Sequence, residues 1–228
     1  MSTEQARRIH VLRILAKRNG YQWGQPPATT TLVKGGSVAC GDASVQLVAR
    51  IWTGRRYSLD AIRRLSRAPH DQPTSAADLV TALHRLGLDY LVVTGYSASR
   101  LARIARERGP VIALESYSHH PEWFGYRYGL TKADGQPNGY SRPRGASGKT
   151  QLSGFTGGHW FVIATSRRVE RRVLCDIRDP NHASRLRPER PAWDRLSLSQ
   201  LDAMLDSRKA VTGYATAIIP SRRLEVPA

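Results

Sequence analysis

Three residues of this 228-residue chain have the types and settings that nucleophilic chemistry requires: Cys40, His159 and Asp179. A cysteine attacks as its thiolate, and a free thiol titrating near about 8.5 is only a few per cent ionised at neutral pH. A helix N-terminus supplies part of the remedy, because its partial positive charge stabilises an anion, and a neighbouring imidazolium supplies more. Cys40 stands where an irregular Gly, Pro and Thr-rich stretch, residues 24–36, gives way to a helical pattern beginning at Gly41. His159 stands immediately before one apolar run, 160–165, and Asp179 immediately after another, 172–177. If those runs are neighbouring strands, a carboxylate accepts from one ring nitrogen and fixes the tautomer, leaving the other nitrogen for the thiol.

The elements that must position these groups can be read from periodicity. Val45, Val48, Ile51 and Trp52 have helical spacing, with Gly54 as the stop. Further helices are expected over 59–67 and 75–86, the second opened by Ser75 and Asp78 in capping-box spacing and closed by Gly87. Residues 90–94, 97–107 and 110–115 read as strand, helix and buried strand. The apolar runs 160–165 and 172–177 read as a hairpin joined by a polar turn at 166–170. A short helix over 197–205 and a last strand over 214–219 complete the pattern. Residues 3–18 form an amphipathic pattern with Ala6, Ile9, Leu12, Leu15 and Ala16 on one stripe, expected to pack on the domain. Between 116 and 158 no period is sustained, and a stretch that long inside a domain is usually functional or disordered.

Composition bounds the rest. With 40% hydrophobic residues the chain can bury one sizeable core. The expected division is a lead-in over 1–34 and one domain over 35–228 carrying the 116–158 insertion. No apolar run reaches the roughly 18 residues of a membrane span, and the N-terminus lacks a secretory pattern, so synthesis in the cytoplasm is expected. Two cysteines are too few for a disulfide framework. Lys and Arg number 35 against 18 Asp and Glu, a formal charge of +17, which favours polyanionic neighbours such as nucleic acid or a wall polymer. The plainer explanation is an ordinary solvated basic surface.

The motifs around the three residues resemble one family. Ala39-Cys40-Gly41-Asp42-Ala43-Ser44, an apolar helix and then Tyr57-Ser58-Leu59-Asp60 look like the nucleophile helix of the double-glycine, bacteriocin-processing cysteine peptidases. Gly158-His159-Trp160-Phe161-Val162-Ile163 is similar to that family's second motif, and Cys175-Asp176-Ile177-Arg178-Asp179-Pro180 to its third, a strand ending in Asp-Pro. The resemblance spans about 35–219 and implies an α+β, papain-like fold, with an N-terminal helical part carrying the nucleophile against an antiparallel sheet carrying His and Asp. It further implies a thiol-dependent hydrolase that cleaves a peptide amide through an acyl-enzyme on Cys40, with His159 as base, Asp179 orienting it, and no cofactor or metal. The resemblance implies a peptide substrate, either in the bacterial cell wall or in a protein being processed, and relatives in phage lysins and virions suggest virion proteins as partners and a virion-associated or wall-delivered location.

Two positions depart from the family pattern. Lys34 stands where the family has a Gln six residues before its nucleophile, so the side-chain oxyanion donor would have to be Lys34, Gln22 or Gln25. Asp42 replaces the usual Pro and is expected to cap the helix while opposing thiolate formation. Both favour the alternative reading, an inactive binding or structural module on the same fold. A third reading is another thiol hydrolase, transglutaminase-like or NlpC-type.

Asp176 competes with Asp179 for the orienting role, but the Asp-Pro placement fits the resemblance, and Asp176 alternates to the face opposite Cys175 and Ile177. Cys175 itself reads as a core residue. His119 and His120 lack zinc-ligand spacing with His159 and Cys175. Trp123, Phe124, Tyr126 and Tyr128 would either grip a ligand or pin the insertion, and Arg142, Arg144 and Lys149 lie in a Gly and Ser-rich segment suited to a basic lid or a mobile loop.

Overall fold

Residues alternate along the central strands so that both sheet faces are apolar. Trp160 and Val162 are buried on one side, and Phe161 and Ile163 on the other. A sheet apolar on both faces must be covered on both. The structure, a computed structural model, describes residues 39–70, 72–116, 158–180 and 194–222. In chain order these form α1 (Cys40–Thr53), α2 (Leu59–Ser66), α3 (Ala76–Arg85), β1 (Leu88–Thr94), α4 (Ala98–Glu107), β2 (Val111–Ser116), β3 (Gly158–Val169), β4 (Arg172–Arg178), β5 (Asp194–Ser197), α5 (Leu198–Thr212) and β6 (Thr216–Arg222).

The fold is α+β: helices pack on a six-stranded sheet in which every pairing is antiparallel, in the order β1-β6-β2-β3-β4-β5. Helices α1 to α3 cover one face, around Trp52, Ile62, Leu79, Leu83, Ile112, Trp160 and Ile218. Helices α4 and α5 cover the other, around Leu101, Ala105, Phe161, Ile163, Cys175, Leu201 and Met204. None of the described helices is long and apolar enough to cross a membrane.

Local chemistry explains the boundaries. Ser58 accepts from the Ala61 N–H to start α2, and Ser75 and Asp78 form the expected capping box on α3. Gly54 ends α1 at φ 74°, in the left-handed region that favours glycine.

Three expectations are corrected and one strand is added. Residues 166–169 are strand, because Ser166 to Val169 pair with Cys175 to Arg172, and the hairpin turns at Glu170 and Arg171. The four-residue β5 carries too little pattern to be seen and forms because β4 offers it an edge. Helix α5 runs to Thr212, seven residues beyond the expected end at Leu205. β1 and β2, which read as consecutive strands around a helix, are separated by β6. The amphipathic segment 3–18, the lead-in up to residue 38 and residues 117–157 of the insertion lie outside the described residues.

Candidate active site

Cys40 is the first residue of α1. The first intrahelical bond runs from the Ala43 N–H to the Ala39 carbonyl, so the N–H groups of Cys40, Gly41 and Asp42 lie ahead of the helix's own ladder. Ser44 donates back to the Cys40 carbonyl at 2.9 Å. Gly41 is required by contact: a Cβ there would strike Thr74 Oγ1 and lie 2.9 Å from Leu79 Cδ2. Thr74 in turn accepts from Trp160 Nε1–H at 2.8 Å, so one residue ties the first turn of α1 to the strand that carries His159.

Asp42 does not cap the helix. Neither of its carboxylate oxygens hydrogen-bonds a backbone N–H among the described residues, and its Oδ2 lies 3.3 Å from Arg63 Nε, with both side chains buried. Arg63 also donates to the Gln72 carbonyl at 3.0 Å, which pins the α2–α3 connection beneath α1. Burial pushes the Asp42 carboxyl up to about 6, with the Arg63 guanidinium opposing.

His159 is the second residue of β3, and its ring is 2% exposed. Nε2 lies 2.6 Å from Asp179 Oδ1, a charge-assisted hydrogen-bond distance, and the Cys40 thiol hydrogen-bonds the same ring. With Nε2 engaged by Asp179, Nδ1 is the nitrogen left for sulfur. Burial alone would lower the imidazole pKa, but the charge and hydrogen bond of Asp179, with the Cys40 sulfur beside it, carry it well above the ordinary histidine value.

A fourth group shares this space. Glu115 pairs directly across the β2–β3 ladder with His159, is fully buried, and places Oε1 4.0 Å from Nε2. Burial holds its carboxyl well above the usual range, aided by Asp179 and Cys40 and opposed by His159. Sequence reasoning passed over Glu115. Its signal was a lone acid at the end of an otherwise apolar strand, and its meaning depended on strand register. Next to this pair, Ser116 pairs with Gly158.

Glu115, His159 and Asp179 offer ligand atoms within 4.8 Å of one another. Two ligands on a tetrahedral zinc with bonds of about 2.0–2.1 Å stand roughly 3.3 Å apart. The 2.6 Å between Nε2 and Oδ1 fits a shared proton better than a shared metal.

The other candidates fall elsewhere. Asp176 turns away from His159 and meets Arg195 Nε at 3.4 Å. Burial raises its pKa against the opposing charges of Arg167, Arg195 and Arg178. Cys175 lies in the α4/α5 core, where burial pushes its thiol up to about 12. Gln22, Gln25, Lys34, His119, His120, the insertion's aromatic residues and its basic segment lie outside the described residues.

No protein family's model matches the chain, and no curated protein does. Among solved structures the chain is similar to the peptidase domain of Streptococcus ComA, a bifunctional ABC transporter involved in a quorum-sensing pathway. The identity is 16%, the TM-score 0.49, and the match covers 86% of this chain and 98% of that one. It is also similar to a double-glycine-motif protease from an AMS/PCAT transporter in complex with its leader peptide, at 11% identity and TM-score 0.47 over 86% and 94% of the two chains. The peptidase domain of Streptococcus mutans ComA matches at 14% identity and TM-score 0.41, over 85% and 98%.

Proposed function

We propose that the chain is a thiol-dependent hydrolase of peptide amide bonds. The observation that carries this reading is the Asp179–His159 hydrogen bond of 2.6 Å, which holds a buried ring against a thiol at a helix N-terminus. Cys40 Sγ attacks the amide carbonyl, the carbon–nitrogen bond breaks, and the His159 proton leaves with the amine. Water then attacks the thioester as the ring takes up its proton, releasing the acid and restoring the thiol. The N–H groups ahead of the α1 ladder are suited to the carbonyl oxygen as it gains charge. Asp179 keeps the ring in one orientation throughout. Motif resemblance supports a peptide substrate, and the basic composition adds support for one in an anionic setting such as the cell wall.

A second reading, an inactive binding module, is favoured by one observation: Cys40 is 4% exposed, so a substrate reaches it only where the covering surface gives way. Iodoacetamide alkylation of Cys40 at pH 6 separates the two, measured with Cys175→Ser as background and His159→Ala as comparison. The hydrolase reading expects ready alkylation that falls about a hundredfold without the imidazole. Equal rates in the two proteins, or no alkylation until the chain unfolds, would leave the binding module as the better account.

A further inference from the structure

The proposed chemistry uses one carboxylate on His159, yet two face the ring. We propose that Glu115 is a positioning residue for His159, a second carboxyl group delivered across the β2–β3 ladder that, together with Asp179, holds the ring in its charged form. This inference rests on the hydrolase reading and extends it.

The geometry is specific. Glu115 and His159 are direct cross-strand partners, so their side chains leave the sheet on the same face. Glu115 Oε1 is 4.0 Å from Nε2, while Asp179 Oδ1 is at 2.6 Å on the same nitrogen. Among the described residues, His159 from β3, Asp179 from the end of β4 and Cys40 from α1 act on the Glu115 carboxyl. Elsewhere β6 pairs with β2 through Ile218 and Ala217, and Ser207 Oγ of α5 accepts the Ser116 N–H at 3.0 Å. That last bond anchors the strand end, so Glu115 is set by backbone on both sides.

Two carboxyls and an imidazole this close titrate as a unit. At low pH one carboxylate is enough to balance one imidazolium, and the other carboxyl remains protonated in its buried site. As pH rises, the next proton can leave the ring or Glu115. Loss from Glu115 places a second negative charge beside the ring and strengthens its hold on its own proton. The expected consequence is an imidazolium that survives to higher pH than Asp179 alone would secure.

Iodoacetate reads this directly, because an anionic reagent is drawn to the thiolate while the neighbouring ring is cationic and loses that attraction as the ring deprotonates. The experiment compares the alkaline fall in the iodoacetate rate at Cys40 in the Cys175→Ser protein and in its Glu115→Gln, Glu115→Asp and His159→Ala versions. Glu115→Gln is expected to move the alkaline limb down by about one pH unit, a tenfold lower rate at a fixed pH on that limb. Glu115→Asp should fall between, and it decides the question if the glutamine variant does not fold. A ring titration of His159 by NMR should shift in the same direction, which a purely structural role for Glu115 would not produce. If the Glu115 variants keep the parent's limb while His159→Ala abolishes it, this inference is overturned and the hydrolase reading stands. If His159→Ala itself leaves the parent profile unchanged, the hydrolase reading has failed.

Discussion

Two buried cysteines sit on opposite faces of one sheet, and they differ in almost everything except burial. Cys175 is fully enclosed in a strand among Leu196, Ile177 and Met204, and its thiol is pushed up to about 12. Cys40 is 4% exposed at the start of a helix, hydrogen-bonded to an imidazole that is itself held by Asp179. Exposure alone would rank the two as nearly equal. What separates them is position: Cys175 lies within a strand, where burial and then the Asp176 charge raise its thiol, whereas Cys40 begins a helix beside the His159 ring.

The sharpest way to break this contrast is to remove each sulfur in turn. Cys40→Ala is expected to abolish peptide hydrolysis, and Cys175→Ala to leave kcat/KM within about twofold once stability is matched, since a buried thiol of that kind is inert. A peptide-library digest followed by mass spectrometry checks both, and activity that survives Cys40→Ala would overturn the assignment.

The next test asks whether the apolar face contributes only stability. Phe161 is wholly buried against α4 and α5, and Phe161→Ala should cost about 3–5 kcal/mol in urea unfolding. The rate of Cys40 alkylation in the folded protein should stay close to that of the parent. A large change in that rate would mean that the two faces are coupled through β3.

The smallest effect belongs to Asp42. Its carboxyl is raised from 3.8 to about 6, so between these values the folded chain binds more protons than the unfolded one and stability falls as pH rises. That difference corresponds to roughly 3 kcal/mol at most across the window. Asp42→Asn should make the slope shallower by the Asp42 share, leaving that of the other raised carboxyls, Glu115 and Asp176. Urea midpoints of the two proteins at pH 4, 5, 6 and 7 measure it, and parallel curves would show that the Arg63 pair holds Asp42 ionised over the whole range.

Much of this molecule follows from local pattern. Helical spacing from Val45 to Trp52 places α1 and puts Cys40 at its start. The spacing of Ser75 and Asp78 opens α3, and the apolar runs beginning at Val111, Trp160 and Val173 mark the central strands. These features are local because caps and periodicity involve residues within a turn or a few strand positions of each other. The order Cys40, His159, Asp179 was equally visible, with each residue at the boundary of a recognisable element.

Other features needed the tertiary structure, since they depend on which distant segments become neighbours. β5 has four residues and no pattern of its own, and β4 supplies its partner. β6 enters the sheet between β1 and β2, an order that no local signal encodes. Asp42 reads as a helix cap until Arg63, 21 positions later, draws its carboxylate away from the backbone. Glu115 reads as the polar end of a strand until register sets it against His159, 44 positions later, where a low-dielectric pocket turns an ordinary acid into part of the site.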